Sequence, residues 1–350
     1  MKMSEDTPEQ QQLRLPAEWE PQQAVMIAWP HEETDWSYML PQVTDCYIEL
    51  AHAIARFAKL IVVAPDSTLP RKYLSDIQPE RVAYIDIQTN DTWTRDYGAI
   101  TTLSADGTPV YNDFCFNGWG LKFAANFDNL VTRKMHFASL LSGKYHNELG
   151  FVLEGGSIES DGKGTLLTTK ECLLSPNRNG DLTRREISRH LKDVFNVSKV
   201  LWLEHGALEG DDTDSHIDTL ARLAPNDTIL YVGCENPSDS HYDELRAMHH
   251  DLQGMSTADG RPFNLIELPL PDPVFDEDGM RLPATYANFL IINNGVLMPV
   301  YGQPKKDKLA LQIIKIAFPD HEIVPVNCSA LIRQHGSLHC ATMQFPVINF

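Results

Sequence analysis

Five short polar motifs interrupt apolar stretches of this sequence at nearly regular spacing. They are Thr94-Arg95-Asp96, Glu154-Gly155-Gly156, His216-Ile217-Asp218, Thr285-Tyr286-Ala287-Asn288 and His339-Cys340. Asp96 and Glu154 are 58 residues apart, and Glu154 and His216 are 62 apart. Asp218 and Cys340 are 122 apart, which is twice 61. Equivalent positions in a ring of repeats face one axis, so we predict that an Asp, a Glu, a His-x-Asp pair and a Cys meet in one pocket.

A cysteine, a histidine and several carboxylates are compatible with two kinds of chemistry. In the first, Cys340 is a nucleophile and His216 is its general acid and base. In the second, His, Asp and Cys side chains bind a metal ion. A metal site usually has a denser His/Cys cluster, and the acidic loop 211–214 lacks the glycine of an EF-hand loop. We therefore favour the nucleophile and expect no metal.

The carboxylates indicate the charge of the substrate. Acids near a thiol raise its pKa and oppose the attacking thiolate, unless the substrate is a cation that restores the balance. A guanidinium group is planar, permanently charged and matched by bidentate carboxylates. The residues thus favour a small cationic guanidine as the partner, bound between Asp96 and Asp218 with its central carbon facing Cys340.

The segments that position these residues are predicted to be a repeat of strands and helices. Turn signals between apolar runs indicate β-hairpins at Asp106-Gly107, Asp161-Gly162, Asn226-Asp227 and Asn294-Gly295. Further strand-like runs are 60–63, 82–87, 200–203, 265–268 and 323–326. Apolar stripes with helical spacing cover 44–58, 183–197 and 307–318.

The unit is therefore a strand, a hairpin and a helix with a period near 60 residues, and about five copies fill the chain. We predict an α/β fold in which these units form a ring. An open α/β sheet is the alternative, but hairpins are antiparallel and disfavour it. We predict one domain over residues 1–350, with residues 1–15 as a flexible arm.

Composition argues against several classes of protein. The 350 residues include 29 Lys and Arg and 48 Asp and Glu, and the formal net charge of −19 disfavours a nucleic-acid partner. No apolar run reaches 18 residues, and the acidic start has no signal-peptide core, so we expect neither a membrane partner nor export. The six cysteines are far apart without a CxxC pair, which fits a reducing cytoplasm.

Five motifs in order resemble one known family. They are Ala-Glu-Trp-Glu-Pro-Gln-Gln-Ala at 17–24, Asp-Thr-Trp-Thr-Arg-Asp at 91–96, Leu-Glu-Gly-Gly-Ser at 153–157, His-Ile-Asp at 216–218 and Leu-His-Cys-Ala-Thr-Met-Gln at 338–344. They resemble the bacterial peptidyl-arginine deiminase and agmatine deiminase family of the guanidino-group-modifying (pentein) superfamily, from about residue 15 to 348. The resemblance implies a five-bladed α/β propeller without metal or organic cofactor.

The resemblance also implies roles for the site residues. Cys340 attacks the guanidinium carbon, and His216 protonates the departing ammonia and then activates water. Glu154 orients and charges His216, while Asp96 and Asp218 grip the guanidinium nitrogens.

Four further residues belong to the expected site. Trp93 and Trp119 are candidate walls for the aliphatic arm of the substrate, or ordinary core aromatics. Gly155 and Gly156 are expected to allow a close backbone approach or a bulge.

The substrate is expected to be agmatine, with peptidyl-arginine or free arginine as the alternative. An arginine-type substrate carries a carboxylate that needs a cationic clamp, and the arginine-specific branch has arginines about twenty residues after Thr-Arg-Asp. Here 116–122 reads Phe-Asn-Gly-Trp-Gly-Leu-Lys, which resembles the agmatine branch, and the acidic residues in 209–214 could meet an ammonium. Members of the resembled family often have a Gly-rich Asn-Ile-His-Cys turn before the nucleophile. Here 335–340 reads His-Gly-Ser-Leu-His-Cys, which departs from that pattern.

The resemblance connects the activity to putrescine and polyamine biosynthesis. Two less favoured functions would also use a guanidine site: an amidinotransferase and a non-catalytic guanidine-binding module. A homo-oligomer is compatible with the sequence.

Overall fold

The computed structural model describes residues 13–347 of the chain. The strands are β1 Ala24–Ala28, β2 Lys59–Ala64, β3 Val82–Asp86, β4 Ile100–Leu103, β5 Pro109–Cys115, β6 Lys144–Val152, β7 Ile158–Ser160, β8 Thr165–Thr169, β9 Lys199–Leu203, β10 Ala221–Ala224, β11 Thr228–Gly233, β12 Asn264–Pro269, β13 Leu290–Ile292, β14 Gly295–Val300, β15 Glu322–Asn327 and β16 Met343–Phe345. The helices are α1 Leu40–Ala55, α2 Thr68–Tyr73, α3 Thr94–Tyr97, α4 Gly118–Leu121, α5 Val131–Phe137, α6 Lys170–Leu173, α7 Pro176–Asn179, α8 Arg184–Phe195, α9 Tyr242–Gln253 and α10 Pro304–Ala317. Within the described range, no helix is both long and apolar enough to cross a bilayer.

The described strands form five small sheets, which confirms the mixed α/β class. Four sheets have three strands each, in the orders β4-β5-β6, β7-β8-β9, β10-β11-β12 and β13-β14-β15. In each of them the first two strands are an antiparallel hairpin, and the third strand follows a helical segment and pairs in parallel with the second. The predicted repeat is thus present, and its strands do not form one open sheet.

The fifth sheet joins distant parts of the chain in the order β16-β1-β2-β3. Strands β1, β2 and β3 run parallel, and β16 pairs antiparallel with β1 through Ala24–Phe345 and Met26–Met343. This pairing holds the segment that follows Cys340 against the first strand.

Three of the four predicted hairpin turns lie where the sequence indicates, and one is displaced. The turns at 106–107, 161–162 and 226–227 connect β4 to β5, β7 to β8 and β10 to β11. The turn predicted at Asn294-Gly295 is instead Asn293-Asn294, with Asn293 left-handed at φ 50°. Gly295 is the first residue of β14, where a Cβ would lie 2.7 Å from the Phe57 ring.

The predicted helical stripes correspond to α1, α8 and α10. Helix α8 shows why the local sequence is helical. The Thr183 side chain and Glu186 form a reciprocal capping box at its start, and Asn196 ends it in the left-handed conformation. Its apolar stripe, Ile187, Leu191, Val194 and Phe195, is buried, and this burial fixes the helix against the core.

The described end of the predicted flexible arm is attached to the fold. Arg14 forms a two-hydrogen-bond bridge with Leu103, with both N···O distances 2.8 Å, and Leu15 is buried. Residues 1–12 of the predicted arm lie outside the described residues.

Candidate active site

The polar motifs converge, and each lies shortly before a strand. Asp96 lies in α3 before β4, and Glu154 precedes the 3-10 turn Gly155–Ser157 that leads into β7. His216 and Asp218 belong to the 3-10 turn before β10. Each of these four side chains, and that of Cys340 before β16, is at most 4% exposed.

Cys340 has a polar environment that disfavours its thiolate. Its Sγ lies 3.8 Å from Asp218 Oδ2 and accepts a hydrogen bond from Asn288 Nδ2 at 3.3 Å. The backbone N–H groups of His339 and Cys340 both donate to Asn288 Oδ1, at 2.9 and 3.3 Å. Burial, then the charges of Asp218 and Asp96, raise the pKa of the Cys340 thiol well above its usual value. A bound cation would oppose this effect and favour the thiolate.

His216 is buried beside carboxylates. Its Nδ1 lies 3.7 Å from Asp96 Oδ1, and neither ring nitrogen has a hydrogen-bond partner among the described residues. Burial lowers the pKa of His216, but its interactions with Asp96, Cys172 and Glu154 raise that pKa by more than burial lowers it. The net shift is strongly upward. The upward shift favours the imidazolium, which is the form that can donate a proton to a leaving group.

Asp96 is held by two donors. The Trp119 indole Nε1 donates to Oδ2 at 2.9 Å, and the Gly156 backbone N–H donates to Oδ1 at 3.0 Å. Burial raises the pKa of Asp96 to about 6. Each carboxylate oxygen keeps a free lone pair, so the group can still accept hydrogen bonds from a planar cation.

Trp119 reaches Asp96 from an unusual backbone turn. In the segment Gly118–Leu121 every residue has positive φ, including Trp119 at 56° and Leu121 at 68°. Non-glycine residues in this region are strained, and strain of this kind is concentrated at functional sites. The sequence predicts Trp119 as a wall of the cavity, and the structure shows that its indole also orients Asp96.

Asp218 has one oxygen occupied and one free. His339 Nδ1 lies 2.7 Å from Oδ2, while Oδ1 is buried without a partner among the described residues. Burial raises the pKa of Asp218, but its hydrogen bond and charge contact with His339 lower it, and the net shift is downward. The group is an ionised carboxylate with a free acceptor.

The partner of Glu154 differs from the expected one. Both of its carboxylate oxygens accept from Arg178 Nε, at 2.9 and 3.1 Å, and no hydrogen bond joins it to His216 in the described structure. Arg178 also binds Asp214 at 2.5 Å. Ligand-type atoms of Glu154, Cys172 and His216 nevertheless lie within 4.8 Å of one another, and the charge of Glu154 contributes to the raised pKa of His216.

The two predicted close-approach glycines have different neighbours. A Cβ on Gly155 would lie 2.2 Å from the backbone oxygen of Arg95. A Cβ on Gly156 would lie 2.7 Å from His216 Nδ1, 2.9 Å from Asp96 Oδ1 and 3.0 Å from Asp218 Oδ2. Gly156 therefore leaves open the point at which three functional groups meet.

A cavity of about 240 Å³ leads to these groups from the surface. Cys340 and Asp96 line it together with Trp93 and Trp119, so both predicted tryptophans are wall residues. A Cβ on Gly336 would lie 2.3 Å from the Trp93 ring, which shows how closely the turn before Cys340 covers that tryptophan.

The cavity wall carries further acidic residues. Asp35, Asp91 and Asp212 line it, and Asp212 comes from the acidic loop that the sequence indicates. Burial raises the pKa of Asp91 to about 7 and that of Asp212 to about 6. Arg333 also lines the cavity, and its Nη1 is 2.9 Å from Glu277 Oε1.

Two groups of side chains have the donor types of a metal site. They are Glu154, Cys172 and His216, and Glu18, Glu159 and His339. In each group a buried arginine already pairs with a carboxylate, Arg178 with Glu154 and Arg222 with Glu159. A divalent cation at either place would be repelled by that guanidinium, so neither group fits a metal well.

Several residues of the site carry no individual signal in the sequence. Asn288 lies in one of the five motifs, but its residue type alone indicates no role, and Arg178 and Cys172 lie outside the motifs. Glu18 and His339 lie within motifs of the family resemblance, but nothing in their spacing indicates that they pair.

Comparison with known proteins agrees with the geometry. The sequence profile of the Porphyromonas-type peptidyl-arginine deiminase family matches residues 14–346. The chain is 33% identical to the agmatine deiminase of Pseudomonas syringae pv. syringae over 366 residues, covering 97% of each protein. A cysteine-to-serine variant of the C. jejuni agmatine deiminase, solved with substrate bound, is 38% identical, with a TM-score of 0.89 over 95% of this chain and 96% of that one. A Porphyromonas gingivalis protein provisionally described as an arginine deiminase is 49% identical, with a TM-score of 0.89 over 95% and 98%.

Proposed function

This chain belongs to the Porphyromonas-type peptidyl-arginine deiminase family, and we propose that it is an agmatine deiminase that hydrolyses agmatine to N-carbamoylputrescine and ammonia. One observation carries the proposal. The Cys340 thiol and the Asp96 carboxylate line the same cavity as three further carboxylates. A nucleophile and an anionic clamp, with further acids in the same cavity, suit a molecule that has a guanidinium at one end and an ammonium at the other.

Binding comes first and prepares the nucleophile. The guanidinium donates hydrogen bonds to the carboxylates of Asp96 and Asp218, with its carbon toward Cys340. Its positive charge offsets the two acids that raise the pKa of the thiol, so Cys340 loses its proton to solvent only when the substrate is present.

The first chemical step releases ammonia. The Cys340 thiolate forms a C–S bond to the guanidinium carbon, and the tetrahedral adduct collapses with cleavage of one C–N bond. His216 donates its ring proton to the departing nitrogen. The products of this step are ammonia, neutral His216 and an amidino-cysteine (thiouronium) cation.

The second step consumes water. Neutral His216 takes a proton from water while the oxygen attacks the thiouronium carbon, and the C–S bond then breaks. The carbamoyl product leaves, and Cys340 and His216 return to their starting forms. The overall change is guanidinium plus water to a urea group plus ammonium, and it needs no redox partner.

The acidic cavity wall supports agmatine over arginine. An ammonium between Asp91 and Asp212 would be stabilised by both carboxylates and would lower their raised pKa values. A substrate carboxylate at the same place would be repelled.

Arginine remains the second candidate because of Arg333. It is the cationic residue of the described cavity wall, and a guanidinium can bind a carboxylate in a bidentate manner. Arg333 is already paired with Glu277 and so attracts a substrate carboxylate less strongly, which is why we place arginine second. The likeness to the Porphyromonas gingivalis protein favours keeping it in the test.

The test is an ammonia-release assay on purified protein with agmatine, arginine and a peptide ending in arginine, with the product identified by mass. We expect agmatine to have the highest kcat/KM. Cys340→Ser should be inactive. Cys234→Ser should be unaffected, because the Cys234 thiol contacts the backbone oxygen of Asn236 and does not line the cavity. If agmatine releases no ammonia, the proposal is wrong. Transfer of the amidino group to an added amine would instead indicate an amidinotransferase.

We also propose that the five sheets are the blades of a pseudo-symmetric propeller. The repeated hairpin-helix-strand unit and the convergence of the polar motifs support this arrangement. A cytoplasmic location is supported by six cysteines that are all free in the structure.

A further inference from the structure

A group of six buried ionic side chains includes Asp218, and none of the six is among the residues that line the substrate cavity. Its members are Glu18, Arg95, Glu159, Asp218, Arg222 and His339, whose side chains are at most 8% exposed. Arg222 Nε lies 2.5 Å from Glu159 Oε1, and Arg222 Nη2 lies 2.9 Å from Glu18 Oε2. The proposed mechanism uses Asp218 alone, so the other five have no assigned role.

His339 lies between two carboxylates in this group. Its Nδ1 is 2.7 Å from Asp218 Oδ2, and its Nε2 is 2.7 Å from Glu18 Oε2. A carboxylate oxygen can only accept, so a ring with a proton on each nitrogen would donate to both carboxylates. Arg222 Nη2 is also near Nε2, at 3.1 Å, but a neutral Nε2 would place its lone pair directly against Glu18.

The charges of the group agree with that assignment. Three carboxylates face two guanidinium groups, and an imidazolium at His339 makes the buried group neutral. A buried group with an uncompensated charge is strongly destabilised, so a cation at His339 would balance the third carboxylate.

We propose that His339, the residue before the nucleophile, is a positioning residue whose imidazolium keeps Asp218 ionised and leaves Oδ1 of that carboxylate directed at the guanidinium. The inference rests on the proposed function, because it assigns to Asp218 the grip on a guanidine. His339 does not touch the substrate; it acts through Asp218.

The surroundings of both residues determine the pH dependence. The charged groups that face His339 are Asp218, Glu18, Glu159, Arg222 and Arg95. Those that face Asp218 are His339, His216, Arg222, Cys340 and Asp96. Removal of the imidazolium leaves Asp218 buried beside Asp96 without its nearest cation. The pKa of Asp218 then rises. Because a protonated Asp218 cannot hold the guanidinium by charge, guanidine binding is lost as the pH falls through that raised pKa.

His339→Gln tests the proposal, because Gln can still donate a hydrogen bond but carries no charge. Agmatine binding is measured by calorimetry in the Cys340→Ser background from pH 5.5 to 9. We expect the Kd at neutral pH to rise by about tenfold, because a charge-assisted hydrogen bond is about twice as strong as the neutral one that Gln can make, and to recover as the pH rises. In a Cys340→Ser, Asp218→Asn background the same change should have no further effect, because its target is gone.

The controls separate a positioning role from a structural one. His52→Gln removes another carboxylate-paired histidine, 3.0 Å from Asp76 on the surface, and should not change binding. A structural role for His339 would weaken binding equally at every pH and with either residue at position 218. A pH-independent loss of affinity, or no loss, therefore overturns the proposal.

A second measurement leaves His339 in place and so does not depend on whether His339→Gln folds. In 15N-histidine-labelled His216→Gln protein at pH 8.5, one imidazole should remain doubly protonated; a set of wholly neutral rings overturns the proposal. This spectrum is independent of turnover. If the unaltered protein releases no ammonia from any guanidine, the proposed function fails, while the spectrum still decides the state of His339.

Discussion

Gly156→Ala is the substitution that tests the site geometry most directly. The Gly156 backbone has no positive φ, so alanine can adopt its conformation without strain. The added methyl would lie 2.7 Å from His216 Nδ1, 2.9 Å from Asp96 Oδ1 and 3.0 Å from Asp218 Oδ2. The change therefore inserts one carbon between the three groups and alters no charge.

The size of the effect follows from the distances. Ordinary contacts begin at 3.4 Å, so the His216 ring must retreat by about 0.7 Å and the two carboxylates by somewhat less. Misplacement of catalytic groups by about 1 Å can reduce rates by about 100-fold. We expect kcat/KM for agmatine to fall by about 100-fold, or about 2.7 kcal/mol of transition-state stabilisation. The overpacking should lower the free energy of unfolding by about 1–3 kcal/mol.

Two other glycines provide the comparison. At Gly150, exposed in β6, an added Cβ meets nothing within 4 Å, so Gly150→Ala should retain full activity and stability. Gly155→Ala would place its methyl 2.2 Å from a backbone oxygen of Arg95 and should primarily impair folding. Ammonia release and thermal unfolding are measured for all three. If Gly156→Ala folds and keeps the kcat/KM of the parent, the three groups do not surround the reacting carbon, and the reasoning is refuted.

Further predictions concern single residues. Cys340→Ser should abolish ammonia release and keep agmatine binding in calorimetry; residual turnover would contradict a covalent step. Because burial raises the pKa of Asp96 to about 6, kcat/KM should fall as the pH drops through 6, and a flat profile down to pH 5 would contradict this. Trp119→Phe removes a donor to Asp96, worth about 1.5–3 kcal/mol. The pH at which kcat/KM falls should therefore rise by about one to two units. An unchanged pH profile would show that the indole does not hold the carboxylate. Arg178→Met leaves Glu154 buried without its cation and should lower the free energy of unfolding by about 3–5 kcal/mol in urea titration; unchanged stability would contradict that pairing.

The repeating elements of the fold could be predicted because their signals are local. Asp106-Gly107 and Asp161-Gly162 have the side chains that tight turns require, so two hairpins follow directly from the sequence. Asn293 and Gly295 show the limit of this reasoning. Both residues tolerate a turn, and the packing of Phe57 against Gly295 decides that the glycine belongs to the strand. That contact joins residues far apart in the chain, and no local pattern indicates it.

The site could be predicted as a set of residues, but not as a network. The common phase of Asp96, Glu154 and Cys340 within the repeat indicates that they meet, because equivalent positions in a ring share an axis. The ion pair of Glu154 with Arg178 has no such signal, since Arg178 lies in the short helix α7, outside the repeated polar motifs. Burial and pairing in three dimensions decide which charge each carboxylate meets.

The pairing of β16 with β1 has a consequence for how this enzyme is made. Glu18 and His339 are 321 residues apart, yet they touch beside the nucleophile. A chain emerging from a ribosome exposes its carboxylates and its catalytic imidazole well before the segment that carries the thiol. Contacts between such distant segments form slowly. Unfinished chains would therefore be inert, and the reactive sulfur would meet its partners only when β16 pairs with β1.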